Sequence, residues 1–348
     1  MDHIADVLGL LDRPAFCVQN GIITAANAAA AGRMIETGTP ISDILQTGQD
    51  EYQAFSDGCL YLSLTVAEQT LGASVTKMPD CDIFRIEQDE DNRELQAMAL
   101  AAQELRGPLS TVMVTADRLF PMCDAQSDEN AARLNRGLLQ MLRVIGNMSD
   151  ALRYTTASTD HQTLQNLTAV IGEVFRKAAV LSHQAGIPLE YEDYPESVWS
   201  LADTEKLERA ILNIISNAQK FAADGTIRSK LSRRGNKLYL TVQNSAAGNQ
   251  PARVDFFSRY TREAAIEDGR FGIGLGMVLI RSAAAIHGGT VLIDQPEGSG
   301  LRVTMTLAIR PGEAQLRSPA RKIDYSGGHD QALVELSETL PASLYSPK

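Results

Sequence analysis

The stretch LERAILNIISNAQKFAADGTI, residues 207–227, decides how the rest of this chain is read. Leu207, Ala210, Ile211, Ile214 and Ala218 recur at the spacing of one inward face of a helix. Asn213, Asn217 and Lys220 fall at i, i+4 and i+7 and form a polar stripe beside that face. Asn is a mediocre helix former because its side chain competes for backbone hydrogen bonds. Two of them in line, followed by a lysine, point to oxygen ligands for a cation and an ammonium group for a phosphate. The bland alternative is a solvated face that happens to carry Asn, and the surroundings of the helix decide between the two.

Downstream, DGRFGIGLGMVLIRSAAAIHGG (residues 268–289) sets Gly272, Gly274 and Gly276 directly ahead of another helix. Glycines there let the backbone approach a phosphate, and the helix N-terminus offers N–H donors and the positive end of its dipole. A G-x-G-x-G run by itself is weak evidence, but an N-x-x-x-N-A-x-K-F helix upstream makes the pair specific. Together they resemble the nucleotide-binding domain shared by histidine kinases, gyrase, the heat-shock chaperone ATPases and the MutL family, the GHKL (Bergerat) α/β sandwich. That resemblance implies ATP and Mg²⁺ as cofactors, with Asn217 as the Mg²⁺ ligand, Asn213 assisting and Lys220 on a phosphate. It also implies that Gly272, Gly274 and Gly276 form the glycine box, and that FFSRYTREAAIEDGRF carries a short lid in which Arg259 or Arg262 reaches a phosphate.

Two boxes depart from the family. After the strand KLYLTVQ the family carries D-x-G-x-G, whereas this chain has Asn244-Ser245-Ala246-Ala247-Gly248. Asn244 keeps a carbonyl acceptor for the adenine amino group but lacks the charge, and charge-assisted bonds are about twice as strong. The second departure lies in Gln103-Glu104-Leu105-Arg106-Gly107-Pro108-Leu109, which resembles the kinase H box, H-E-L-R-x-P-L, in every position except the first. The family's histidine attacks the γ-phosphate through a ring nitrogen, with the adjacent acid as base or orienter. The amide nitrogen of Gln103 has its lone pair delocalised and cannot take that role, so Gln103 marks a degenerate phosphoacceptor position with Glu104 beside it.

The H-box-like run belongs to a seam at Leu95, Met98, Ala102, Leu105, Leu109, Val112, Ala116 and Leu119, which resumes at Leu134, Leu138, Met141, Ile145, Met148 and Leu152. Two heptad helices joined by a loop make an antiparallel hairpin, and two hairpins pair into a four-helix bundle. The seam therefore predicts a homodimer. Ahead of it, AFCVQNGIITAANAAAAGRM reads as strand, Asn-Gly turn, strand and Ala-rich helix, and resembles a PAS sensor domain.

The expected architecture is a multidomain α+β protein. A PAS-like domain covers 1–88, a dimerisation and phosphotransfer-like hairpin 89–157, and a histidine kinase-type ATP-binding domain 158–310. A tail over 311–348 is partly disordered, with a short helix near Gln331–Leu340 or a docking role. The net charge of −11 argues against nucleic-acid binding, which needs clustered Lys and Arg. No run approaches about 18 apolar residues, so no membrane span is expected. The start carries no secretory signal, and the four widely spaced cysteines read as reduced thiols in a cytoplasmic protein. The function that follows is signal transduction in the two-component style by a pseudokinase that engages a response regulator or a partner kinase. An active histidine kinase with a non-standard acceptor is the alternative.

Overall fold

The computed structural model describes residues 8–11, 13–87, 89–122, 128–155, 162–222, 225–245, 274–296, 299–312 and 328–346. The N-terminal part holds β1 (Ala15–Gln19), β2 (Ile22–Ala26), α1 (Ala28–Ala31), α2 (Gln49–Ala54), β3 (Cys59–Val66), β4 (Gln69–Lys77) and β5 (Asp82–Ile86). The Asn-Gly turn forms as the sequence predicts. Asn20 and Gly21 take φ of 50° and 76°, the positive values that a tight hairpin whose twist matches its strands requires. Asn27, 8 % exposed, holds the following helix in place. Its Oδ1 accepts from the amides of Ala30 (2.9 Å) and Ala15 (3.1 Å), and its Nδ2 donates to Arg13 O (2.8 Å). Phe16 and Phe84 stack in the core of this half.

The hairpin follows as α3 (Asp89–Leu119) and α4 (Asp128–Thr155). Its heptad seam divides in two. Leu95, Ala102, Leu109 and Ala116 are buried, and so are Leu138 and Ile145 opposite them. Leu105, Val112 and Leu119 on α3 and Leu134 and Met141 on α4 stay about half exposed. One set closes the hairpin and the other is left on its outer side.

The remainder contains β6 (Thr163–Asn166), α5 (Leu167–Gln184), β7 (Leu189–Glu192), β8 (Trp199–Ala202), α6 (Thr204–Phe221), β9 (Ile227–Arg234), β10 (Lys237–Gln243), α7 (Leu275–Ile286), β11 (Val291–Asp294) and β12 (Arg302–Ala308). β10 shows the expected period of two, with Leu238, Leu240 and Val242 buried between half-exposed neighbours. Its partners are β9 and β12, and α5, α6 and α7 pack against the sheet they form with β7 and β11. The short strands β5 and β6 were not expected from sequence; each is brief and half-polar and draws its stability from pairing with neighbours.

One arrangement went unanticipated. β3 pairs antiparallel with β11, Tyr61 opposite Val291 and Cys59 opposite Ile293, so the two sheets fuse in the order β2-β1-β5-β4-β3-β11-β12-β10-β9-β7. Residues 328–346 are packed: α8 (Gln331–Glu335) and a 3-10 turn (Ala342–Tyr345) bury Ala332, Val334, Leu336, Leu340 and Tyr345 in the main core. No helix among the described residues is long and apolar enough to cross a membrane. Among the described residues, Cys17, Cys59 and Cys81 are buried and form no disulfide.

Candidate functional site

α6 starts at Asp203, whose carboxylate accepts from the Lys206 amide at 3.2 Å and caps the helix. Leu207, Ala210, Ile211 and Ile214 then enter the core, which turns the polar stripe toward α4 and α7. Asn213 is only 1 % exposed, so the solvated-face alternative fails for it. Its Nδ2 donates to Arg209 O (2.9 Å) and to Glu335 Oε2 (3.3 Å), and its Oδ1 accepts from Arg143 Nη2 (3.4 Å). Asn217 and Lys220, one and two turns on, are half-buried.

The glycine run meets this stripe directly. Gly276 lies against Asn213 so closely that a Cβ at 276 would sit 2.7 Å from Asn213 Oδ1. Gly274, at φ +77°, stands at the start of α7. Any side chain at 276 would push Asn213 off its partners, a physical reason for glycine there. Gly248, Arg259, Arg262 and Gly272 lie outside the described residues.

Asn244 follows β10 and is 2 % exposed. Its Nδ2 reaches Ala218 O at 3.5 Å, on the same turn of α6 as Asn217. Its Oδ1 has no hydrogen-bond partner among the described residues. A buried acceptor left open costs about 1–3 kcal/mol, and a ligand N–H donor would recover it. An adenine-type N–H is the chemistry that such an acceptor would take.

Charge gathers where α4 faces α6. Arg143 and Arg209 are both buried. Arg209 pairs with Asp150, donates from Nη2 to Asn147 Oδ1 (2.7 Å) and reaches Glu335 Oε1 through Nε (3.0 Å). Arg143 reaches Glu335 Oε2 (3.2 Å) through Nε and Glu338 Oε2 (2.6 Å) through Nη1. Lys220 pairs with Glu338. Burial pushes the Lys220 ammonium below its ordinary pKa, and Arg143 adds to that, while Glu338 opposes it. Burial alone would raise the Glu338 carboxyl, yet Arg143 and Lys220 hold it below the usual carboxylate range.

Sequence reasoning missed Arg143, Asn147, Asp150, Arg209, Glu335 and Glu338. A signal was present, since Arg143, Asn147 and Asp150 form an i, i+4, i+7 polar stripe beside an apolar seam, just as Asn213, Asn217 and Lys220 do.

Gln103 and Glu104 are exposed on α3. Leu105, Pro108 and Leu109 beside them line a groove of about 770 Å³ that Lys220 and Glu338 also line. The H-box-like run and the lysine of the polar stripe thus border one space.

Residues 202–311 match the family described as histidine kinase-, DNA gyrase B-, and HSP90-like ATPase. The chain is 25 % identical over 246 residues to the adaptive-response sensory kinase SasA of Crocosphaera subtropica, covering 66 % of this chain and 64 % of that one. It is 26 % identical over 236 residues to the histidine protein kinase DivJ of Caulobacter vibrioides, covering 63 % and 40 %. It thus spans less than two thirds of the length of these relatives. Full-length ShkA, solved in complex with AMPPNP, superposes with a TM-score of 0.50 at 22 % identity, covering 63 % of this chain and 47 % of that one, and shares its fold. Residues 202–311 thus match a histidine kinase-type ATPase domain, and about two thirds of the chain is similar to sensor histidine kinases.

Proposed function

We propose that the protein is a degenerate sensor kinase. In this reading it is a two-component-type signalling protein that uses nucleotide or ligand state to set the posture of its hairpin, and so regulates a response regulator or a partner kinase. The observation that carries this is Gln103. It occupies an exposed position on α3, next to a groove shared with Lys220, and its side chain cannot accept a phosphoryl group as a histidine does.

The nucleotide would be held by Asn213, Asn217 and Lys220 at its phosphate and Mg²⁺ end, with Gly274 and Gly276 behind. Asn244 would serve its base, and Gly248, Arg262 and Gly272 would contribute as the resemblance implies. A bound Mg-ATP supplies a transferable phosphoryl group, and the chain lacks the ring nitrogen to take it at position 103. Glu104 remains beside that position with no nucleophile to orient. The N-terminal half, five antiparallel strands with two short helices between β2 and β3, supports a PAS-like sensor reading. The half-exposed residues Leu105, Val112, Leu119, Leu134 and Met141 support a homodimer built on the hairpin.

The test is incubation with labelled Mg-ATP and a search for acid-labile phosphate. Wild type is expected to show none, and Gln103→His combined with Asn244→Asp is expected to gain phosphohistidine. The second change restores the charged acceptor, which should tighten nucleotide binding by about one to two decades. Acid-labile phosphate on the wild-type chain would overturn the pseudokinase reading.

A further inference from the structure

The C-terminal segment ends where the nucleotide reading puts phosphates. Glu335 is fully buried, and its two carboxylate oxygens are shared among Arg143, Arg209 and the Nδ2 of Asn213. Glu338, one turn on, takes Arg143 and Lys220. Thr339 adds a hydrogen bond to Gln219 of the same helix, α6. Of the three residues on the α6 stripe, Asn213 and Lys220 are therefore engaged by carboxylates from the far end of the chain.

The local charges balance only with that segment in place. Arg143, Arg209 and Lys220 are three cations; Asp150, Glu335 and Glu338 are three anions. Without the segment, two of these three anions leave the three cations, and a buried excess of positive charge is costly unless another anion enters. A polyphosphate is such an anion, since its oxygens accept from arginine and lysine as carboxylate oxygens do.

Attachment of the segment to α4 is also polar. Arg136 donates to Ser337 O (2.9 Å) and Glu338 O (2.9 Å), Gln140 donates to Ser337 O (2.9 Å), and Asn135 donates to Tyr345 O (2.9 Å). The segment thus spans from the hairpin to the stripe on α6.

We propose that residues 330–345 are an intramolecular ligand of the nucleotide site, with Glu335 and Glu338 holding on Arg143, Asn213 and Lys220 the place of a nucleotide's phosphates. Tail and Mg-nucleotide then exclude one another, and nucleotide entry releases the grip on α4. The inference rests on the nucleotide reading of Asn213 and Lys220.

The test uses the full chain and Mg-ADP. Glu338 is the accessible member, its side chain 32 % exposed, and Glu338→Gln removes its charge at nearly constant shape. Calorimetry is expected to show Mg-ADP binding tightened about fivefold by this change, the size of one partly exposed ion pair. Independently of any variant, saturating Mg-ADP is expected to speed amide hydrogen exchange across 331–345 in wild type. Equal affinity in both proteins with unchanged exchange in that segment overturns the proposal while leaving the nucleotide site standing. Absence of binding in both proteins at millimolar Mg-ADP removes the nucleotide reading, and the inference falls with it.

Discussion

His287 shows how one buried side chain fastens two elements of the ATPase-like half. Its Nδ1–H donates to Ala283 O (2.7 Å), and its Nε2 accepts from the Asp203 amide at the head of α6 (3.1 Å). Both bonds are satisfied only by the neutral ring. Burial lowers its pKa below the ordinary 6.5, and Arg310 and Lys206 act in the same direction against the bond to Ala283 and the charge of Asp203. Below pH 6.5 the unfolded chain takes up a proton that the folded chain refuses, so stability falls as pH drops from 6.5 toward the folded value. The urea midpoint of wild type should decrease between pH 7.5 and 5.5, and that decrease should shrink in His287→Gln, which keeps an acceptor for the Asp203 amide but does not titrate. An equal slope in both proteins would remove His287 as the cause. His287 stands before Gly288-Gly289, but its partner Asp203 is distant in the chain and only the fold supplies it. The same limit applies to Asn213. Its stripe is legible from helical spacing, whereas Arg143 and Glu335, which bind it, come from sequence-remote elements that no local pattern connects.

At the scale of the element, the hairpin seam is fully legible as a period and only half legible as an interface. Alternating steps of three and four locate α3 and α4 well, because both long helices repeat the pattern many times over. The period does not say which of its positions close the hairpin and which face outward. Leu109, at 4 % exposure, belongs to the inner set, so a charge there would damage the hairpin itself. Leu105 and Val112, each 50 % exposed, belong to the outer set and are the sites for a test of association. Leu105→Glu with Val112→Glu should leave helix content unchanged and convert a dimer to a monomer by light scattering at micromolar concentration. Burying such an outer face gains roughly 25 cal/mol per Å² of apolar surface, and two buried carboxylates would reverse that gain. A monomeric wild type under the same conditions would remove the four-helix bundle from the reading. The tail poses the opposite problem: the short helix expected near Gln331–Leu340 forms as α8, but no local pattern shows that Leu336 and Leu340 enter the core and Glu335 a charge network.

At the scale of the whole molecule, sequence patterns predict separate units and give no sign that two of them share a sheet. A strand's edge is legible only through what covers it, and β3 and β11 each cover the other's edge. The junction is reinforced on both sides. Lys237 Nζ and Tyr239 Oη both reach the Glu51 carboxylate (2.8 and 2.9 Å), and Arg281 pairs with Glu87 at 2.6 Å. Arg281 lies on α7, the helix that begins at Gly274, so the N-terminal half is linked by one ion pair to the element that carries the glycine run. A change in the N-terminal half therefore has a short physical route to the glycine run. Gly58 is where this route is most easily cut. It sits at φ +93° just before β3, and a Cβ there would lie 2.2 Å from Ile293 O on β11. Gly58→Val combines backbone strain with a clash against the backbone of the partner strand, on the order of 1–3 kcal/mol from strain alone. Each half has a core centred on its own residues, Phe16, Phe84 and Leu62 in one and Leu240, Met305 and Ile280 in the other, with Cys59, Tyr61 and Leu292 of β3 and β11 crossing between them. The variant should therefore separate the halves rather than unfold both. Calorimetric melting is expected to pass from one cooperative transition in wild type to two in Gly58→Val, with amide exchange rising in β3 and β11 and little changed in β10. A single transition at the wild-type temperature would show that the fused sheet contributes little to holding the halves together, and that the contacts of Glu51 and Glu87 suffice without it.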